Sequence, residues 1–231
     1  MKRLLENFKS FINEENDNSN MVIAIFGPTG TGKTTIKKYF VQKGWREIKS
    51  HTTRPERTEE LSEDPKQGEY KYYRDPQEFD DLHSRGEMFN VRGYYGHKYG
   101  TLAEEFSMAG KSVMMTDLDS VRGLRQVSGM GLGNVSESTT KDVHFIFCKP
   151  QRETVERALR TRGKDSEERV DMLPEEIESH MIKVRQLKTD PDFGPRIHEV
   201  VCLPKDLDEN KIPDQIVNLE KKLSLIARNS G

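Results

Sequence analysis

The sequence predicts an α/β domain, a parallel sheet flanked by helices, and three observations point to it. From residue 21 onward, short apolar runs alternate with amphipathic stretches. The first run leads into a Gly- and Thr-rich loop and then a helical pattern, the order strand, loop, helix. A chain of 231 residues is also long enough to bury one large core.

Taken in order, the elements are "MVIAIF" followed by a helix over 33–43, "KSVMMTD" followed by one over 119–127, "DVHFIFC" followed by one over 151–161, and "HEVVCL" followed by one over 210–228. Runs that are apolar throughout suit strands covered on both faces, as in a parallel sheet with helical crossovers. Two segments break the alternation. Residues 50–101 are rich in Arg, Tyr, Gly and charge, and residues 160–173, "RTRGKDSEERVDML", are almost wholly polar. Both read as insertions over the sheet. Residues 128–141 form a Gly/Ser/Thr-rich loop, whose Asn134-Val135-Ser136 sequon carries no meaning in a cytoplasmic chain.

Ahead of this body, Leu4, Leu5, Phe8, Phe11 and Ile12 recur at helical spacing beside Lys2, Arg3 and Lys9, and 13–20 is a polar linker. Residues 1–20 are therefore expected to be a helical arm, packed on the domain or a partner rather than on a membrane, and 21–231 the domain. No apolar run approaches the ~18 residues of a membrane span, and the start lacks a signal-peptide core, so a cytoplasmic protein is expected. Cys148 and Cys202, each in an apolar stretch with no Cys-x-x-Cys spacing, read as buried thiols. Lys+Arg 37 against Asp+Glu 39 gives a formal charge of -2, which argues against a nucleic-acid partner.

Gly27-x-x-x-x-Gly32-Lys33-Thr34 matches the phosphate-loop pattern, in the context the pattern requires. Glycines, Gly30 among them, let backbone N–H groups turn inward towards phosphate oxygens at a helix N-terminus. Lys33 then reaches the β- and γ-phosphates, Thr34 ligates Mg²⁺, and Thr35 closes the cradle. A nucleoside triphosphate with Mg²⁺ is the expected first substrate.

Beyond the loop come "SHTTRPERTEE" (50–60), "GEYKYY" (68–73), "GYYGHKYGT" (93–101), "DLDSVRG" (117–123) and "LRTRGKDSEE" (159–168), in that order. Together these motifs resemble the guanylate kinase family. The resemblance spans nearly the whole chain from residue 21 to the final helix. It implies a P-loop kinase core, a nucleoside-monophosphate-binding insertion over 50–101 and a lid over 160–173.

Ser50, Arg54, Arg57 and Tyr70 offer a hydroxyl, two guanidinium forks and a phenol, a set suited to one doubly charged phosphate held for in-line attack. The resemblance makes them the clamp on the acceptor's phosphate; without it, they read as a basic surface loop. It also makes Tyr99 and Thr101 acceptor contacts, puts Asp119 beside the bound nucleotide, and makes Arg162 a catalytic lid arginine. Asp117, ending a strand, holds Mg²⁺ through water or caps a helix, and the sequence allows both.

Three departures from the family pattern stand out. Ala158 and Leu173 occupy two other lid-arginine positions, with Arg157, Arg160 and Arg169 within a turn of them. Leu203-Pro204-Lys205 replaces the family's Val-Asn-Asp beside the donor base. Asn90 stands where the family has a guanine-reading glutamate; a carboxylate accepts from both guanine donors, whereas an amide offers one acceptor and one donor.

The expectation, with the resemblance, is a nucleoside monophosphate kinase that transfers the γ-phosphoryl of ATP to a (deoxy)nucleoside 5′-monophosphate, with GMP or dGMP favoured. A thymine- or uracil-type deoxynucleotide is the alternative that Asn90 raises. A non-catalytic peptide-binding module and a sugar-phosphate kinase are rivals from other classes. Oligomeric state is left open.

Overall fold

A computed structural model describes residues 20–56, 70–73, 75–94, 96–124, 142–160, 167–201 and 214–229. The arm over 1–19, Arg57, Arg162, the 128–141 loop with its sequon, Cys202 and Leu203-Pro204-Lys205 lie outside the described residues.

Two sheets organise the described residues. The larger has strand order β2-β7-β1-β8-β9, and every pairing in it is parallel. Its strands are β1 (Met21–Phe26), β2 (Arg46–Ile48), β7 (Ser112–Met115), β8 (Asp142–Lys149) and β9 (Ile197–Val201). The central β1 is buried at all six positions, as its unbroken apolar run requires.

Strand alternation splits that core into two layers. Met21, Ile23 and Ile25 of β1, with Ile146 and Cys148 of β8, face α1 (Lys33–Gln42) and α6 (Asp214–Asn229) through Ile36, Phe40, Ile216 and Leu223. Val22, Ala24 and Phe26, with Phe145 and Phe147, face α3 (Ala103–Ser107) and the long α5 (Glu167–Thr189) through Phe106, Val184 and Leu187. Cys148 is a buried free thiol, as expected. Among the described residues, no helix is long and apolar enough to cross a membrane.

The smaller sheet has order β4-β3-β6-β5, with β3 (Ser50–Thr52), β4 (Tyr70–Tyr72), β5 (Met88–Tyr94) and β6 (His97–Leu102). It forms from the 50–101 segment. β3 runs parallel to β4 and antiparallel to β6, which is antiparallel to β5. Helix α2 (Pro76–Ser84), capped by Asp75 accepting from the Gln77 N–H at 2.9 Å and opened by Pro76, packs on it. Tyr73, Phe79 and Met88 form its small buried core.

Two details of the sequence reading change. Residue 160 ends α4 (Arg152–Arg160), and 167–173, read as polar insertion, form the first turns of α5. Their polarity misled because only every third or fourth residue is buried: Val170 and Leu173 join Val155 and Leu159 of α4 in one apolar cluster, with Ile177 against it. The other is β2, a three-residue edge strand that carries no periodic signal of its own.

At the β8–β9 edge, the buried His144 stacks on the half-buried His198. His144 Nδ1 and His198 Nε2 lie 3.2 Å apart, and His144 Nε2 is 3.1 Å from Asp142 Oδ2. Burial pushes both imidazoles down to about 4, with Lys222 acting in the same direction.

Candidate active site

The phosphate loop is built by close approach of backbone. Gly27, at φ 145°, sits where a Cβ would lie 2.7 Å from the Cys148 carbonyl oxygen, so any side chain would collide with β8. Gly30, at φ 81°, has Val155 of α4 3.2 Å from where its Cβ would be. The buried Thr31 staples the turn, its hydroxyl donating to the Pro28 carbonyl at 2.8 Å. Gly32 caps α1 with no side-chain oxygen, and no acidic residue stands in the first turn, which leaves the positive end of this helix suited to an anion. Lys33 Nζ donates to the Gly27 and Pro28 carbonyls at 2.8 and 2.7 Å, folded over the loop it is expected to serve. Thr34 Oγ1 lies 3.9 Å from Met115 Sδ at the end of β7, and Thr35 follows it on α1.

In the smaller sheet, strand register assembles several of the residues expected to hold the acceptor. Ser50 pairs with Tyr70, and Thr52 with both Tyr72 and Tyr99. The Arg54 guanidinium lies over the Tyr70 and Tyr72 rings, 5.4 and 5.5 Å from their centroids, and its Nη2 donates to the Tyr72 hydroxyl at 3.4 Å. Tyr99 meets Tyr70 edge to face at 6.1 Å. Arg54, Tyr70 and Tyr99 are thus brought together, and Tyr72 joins them although the sequence reading passed over it. Its signal was in "YKYY": Tyr70 and Tyr72 are two apart on a strand and share a face. Behind this face, His51 Nδ1 lies 2.8 Å from the Tyr73 hydroxyl, whose pKa burial pushes up to about 12, so Tyr73 stays neutral there. Glu105, half-buried, is held below the usual carboxylate range: burial opposes this but is outweighed by His51, the Lys49 N–H and Lys71.

Thr101 is buried on β6, paired with Phe89. Between Phe89 and Arg92 the β5 register breaks, and Asn90 takes φ 55°, in the left-handed region that Asn tolerates better than most residues. Its Oδ1 faces Gly123, 3.8 Å from where that glycine's Cβ would stand. The bulge therefore turns Asn90 towards the helical turn at 120–124. Arg92, also missed from sequence, donates from Nη1 to the Asn90 carbonyl at 3.3 Å and forms an ion pair with Asp117.

Asp117 caps that turn: its Oδ1 accepts the Ser120 N–H at 2.9 Å and its Oδ2 the Ser120 hydroxyl at 2.8 Å. Of the two readings of Asp117, capping is what this geometry displays. For Mg²⁺, Thr34 and Asp117 both offer the hard oxygen that this cation takes, and both belong to segments leaving the adjacent strands β1 and β7. Thr34 fits directly, whereas Asp117, engaged on both oxygens, fits as an outer partner through water. Asp119 is exposed and pairs with Lys183 of α5 at 2.9 Å.

Of the lid positions, Leu173 is fully buried against α4, which explains why an apolar residue stands there. Arg157 and Arg160 are exposed on α4. Helix α5 also brings residues that no motif announced. The Thr29 N–H of the phosphate loop donates to Glu176 Oε1 at 3.4 Å. One turn on, His180 Nδ1 lies 2.8 Å from the Glu176 carbonyl oxygen, and burial, against that hydrogen bond but aided by the nearby Lys33 charge, lowers its pKa.

A family model described as guanylate kinase matches residues 19–189, from the start of β1 to the end of α5. The chain belongs to the guanylate kinase family. Among curated members, the guanylate kinase of Polaromonas sp. is 25% identical over 170 residues, covering 71% of this chain and 75% of its own. That of Rickettsia felis is 24% identical over 197 residues, covering 82% and 96%. A crystal structure of guanylate kinase from Anaplasma phagocytophilum aligns at TM-score 0.48 and 15% identity, over 90% of this chain and 87% of that one. The matched span contains both the phosphate loop and the Arg54 clamp.

Proposed function

We propose that this chain transfers the γ-phosphoryl group of ATP to a guanine nucleotide, GMP or dGMP. The reaction class, ATP-dependent phosphorylation of a nucleoside monophosphate, comes with membership of the family. The observation that carries the proposal is the pairing of two phosphate sites of different build: a backbone loop with Lys33, and a guanidinium clamp of Arg54 over Tyr70 and Tyr72.

Phosphoryl transfer asks for positioning and charge neutralisation rather than covalent help. Lys33 can swing from the loop carbonyls to the β/γ-phosphate oxygens. Arg54 can present its fork to the acceptor phosphate, with Ser50, Tyr70 and Arg57 completing the clamp. Thr34 would hold the Mg²⁺ that arrives with ATP, which supplies further neutralisation of phosphate charge. Arg162 is proposed as the lid arginine that meets the transferring group.

Asn90 favours a second reading. Its amide can accept a ring N–H and donate to a neighbouring carbonyl, the pattern of a thymine or uracil edge. Relatives bearing the name guanylate kinase favour guanine. A coupled ADP-release assay against all common ribo- and deoxyribonucleoside monophosphates decides between them. Highest kcat/KM for GMP or dGMP is expected; highest for dTMP, dUMP or a 5-substituted dUMP would install the second reading. Turnover with none of them would leave the binding-module reading.

A further inference from the structure

Glu176, His180 and Lys183 stand four and three residues apart, on one face of α5. One end of this face meets the phosphate loop, where Glu176 accepts from the Thr29 N–H. The other end meets the turn after β7, where Lys183 pairs with Asp119. The helix therefore crosses the cleft from the donor side to the acceptor side.

We propose that Glu176 is a positioning residue that sets the affinity for the donor: its carboxylate and a phosphate oxygen of ATP compete for the Thr29 N–H of the loop. This rests on the reading of that loop as the ATP site. Two acceptors cannot share one strong, linear N–H bond. Two anions side by side at one helix terminus also repel, far more than an anion and a neutral amide do. Binding the triphosphate thus requires Glu176 to withdraw, and the loop's packing determines what moves with it. Gly30 is backed by Val155 of α4, and Val155 and Leu159 share one apolar cluster with Val170, Leu173 and Ile177 of α5. Ile177 adjoins Glu176, so a shift of the carboxylate draws on the pair of helices that flank the 161–166 segment. Leu173 makes this coupling possible, because an arginine at that place could not be buried at no cost between the helices.

Glu176→Gln keeps the size and an acceptor oxygen but removes the charge. Binding of MgATP and of inorganic tripolyphosphate, measured by titration calorimetry, should tighten by about threefold to tenfold. KM for ATP should fall in parallel while KM for the monophosphate stays as in the wild type. The gain should shrink at high salt. Glu176→Asp, which retracts the charge by one methylene, should fall between the two and serves if the Gln variant folds poorly. A merely structural role would lower melting temperature and leave the two KM values moving together or not at all. If the wild type binds MgATP and neither variant binds it more tightly, the proposal is overturned alone. If the wild type binds no triphosphate, the reading of the loop falls and the proposal falls with it.

Discussion

On the function proposed above, the donor half and the acceptor half of the cleft would bind phosphate by opposite means. On the donor side the ligands are mostly backbone, held by a strand buried at every position and by a carbonyl packed against Gly27. On the acceptor side they are side chains, Arg54 and three tyrosines, on a sheet whose buried core is little more than Tyr73, Phe79 and Met88. A backbone cradle cannot be altered by one substitution without moving the sheet. A side-chain cradle can, and one of this chain's three departures from the family pattern, Asn90, falls there. On that reading, the constant chemistry would sit in the rigid half and the choice of acceptor in the half that tolerates change.

The largest effect should expose this division through the two cores. Phe145→Ala, in the main core, should cost about 3–5 kcal/mol and lower the main calorimetric transition. Phe79→Ala should leave that transition nearly in place and raise KM for the monophosphate, with KM for ATP unchanged. Equal loss of melting temperature in both variants would mean that the two halves unfold as one.

Next in size is Lys33→Ala. Turnover should fall by about 3–4 kcal/mol of transition-state stabilisation, while melting temperature changes little, because the ammonium is part-buried and its described hydrogen bonds include two to carbonyls of its own loop. A folded variant with near-full kcat would remove Lys33 from the site.

Asn90→Glu sharpens the acceptor side. An unanswered buried donor costs about 1–3 kcal/mol, so the ratio of kcat/KM for dGMP over dTMP should rise by about tenfold to a hundredfold. An unchanged ratio would show that the bulge does not choose the base.

The smallest effect is expected at the β8–β9 edge, where His144 pairs in register with Ile23 rather than with the loop end of β1. His144 and His198 titrate near 4 in the fold, against about 6.5 in the unfolded chain. Between those values the unfolded state binds more protons, so stability should fall as pH drops from about 6.5 towards 4 and level off below. His144→Asn should flatten that slope, read as a smaller loss of melting temperature between pH 7 and pH 4.5; its turnover at pH 7 should match the wild type. A slope as steep as the wild type's would assign the acid sensitivity to other groups.

What the sequence by itself determined was local. A continuous apolar run, a glycine loop and a following helix lie within twenty residues, so β1, the loop and α1 were legible at the right places, as were β7, β8 and β9. The proposed clamp was half legible: Arg54 and Tyr70 stood out by chemical type, while Tyr72 hid in plain alternation. The tertiary structure alone decided which distant residues share the cleft. Glu176 reaches Thr29 across 147 positions, and nothing in either segment marks the other. Arg92 became the partner of Asp117 only because β5 and the turn after β7 belong to different sheets that meet there. Residues 167–173 looked like loop because a helix buried along one narrow stripe shows mostly charge, and its apolar minority gains meaning only when α4 supplies the other side of the contact. Spacing along the chain encodes periodicity, but proximity in space depends on how the sheets and helices pack, and packing is a property of the whole chain.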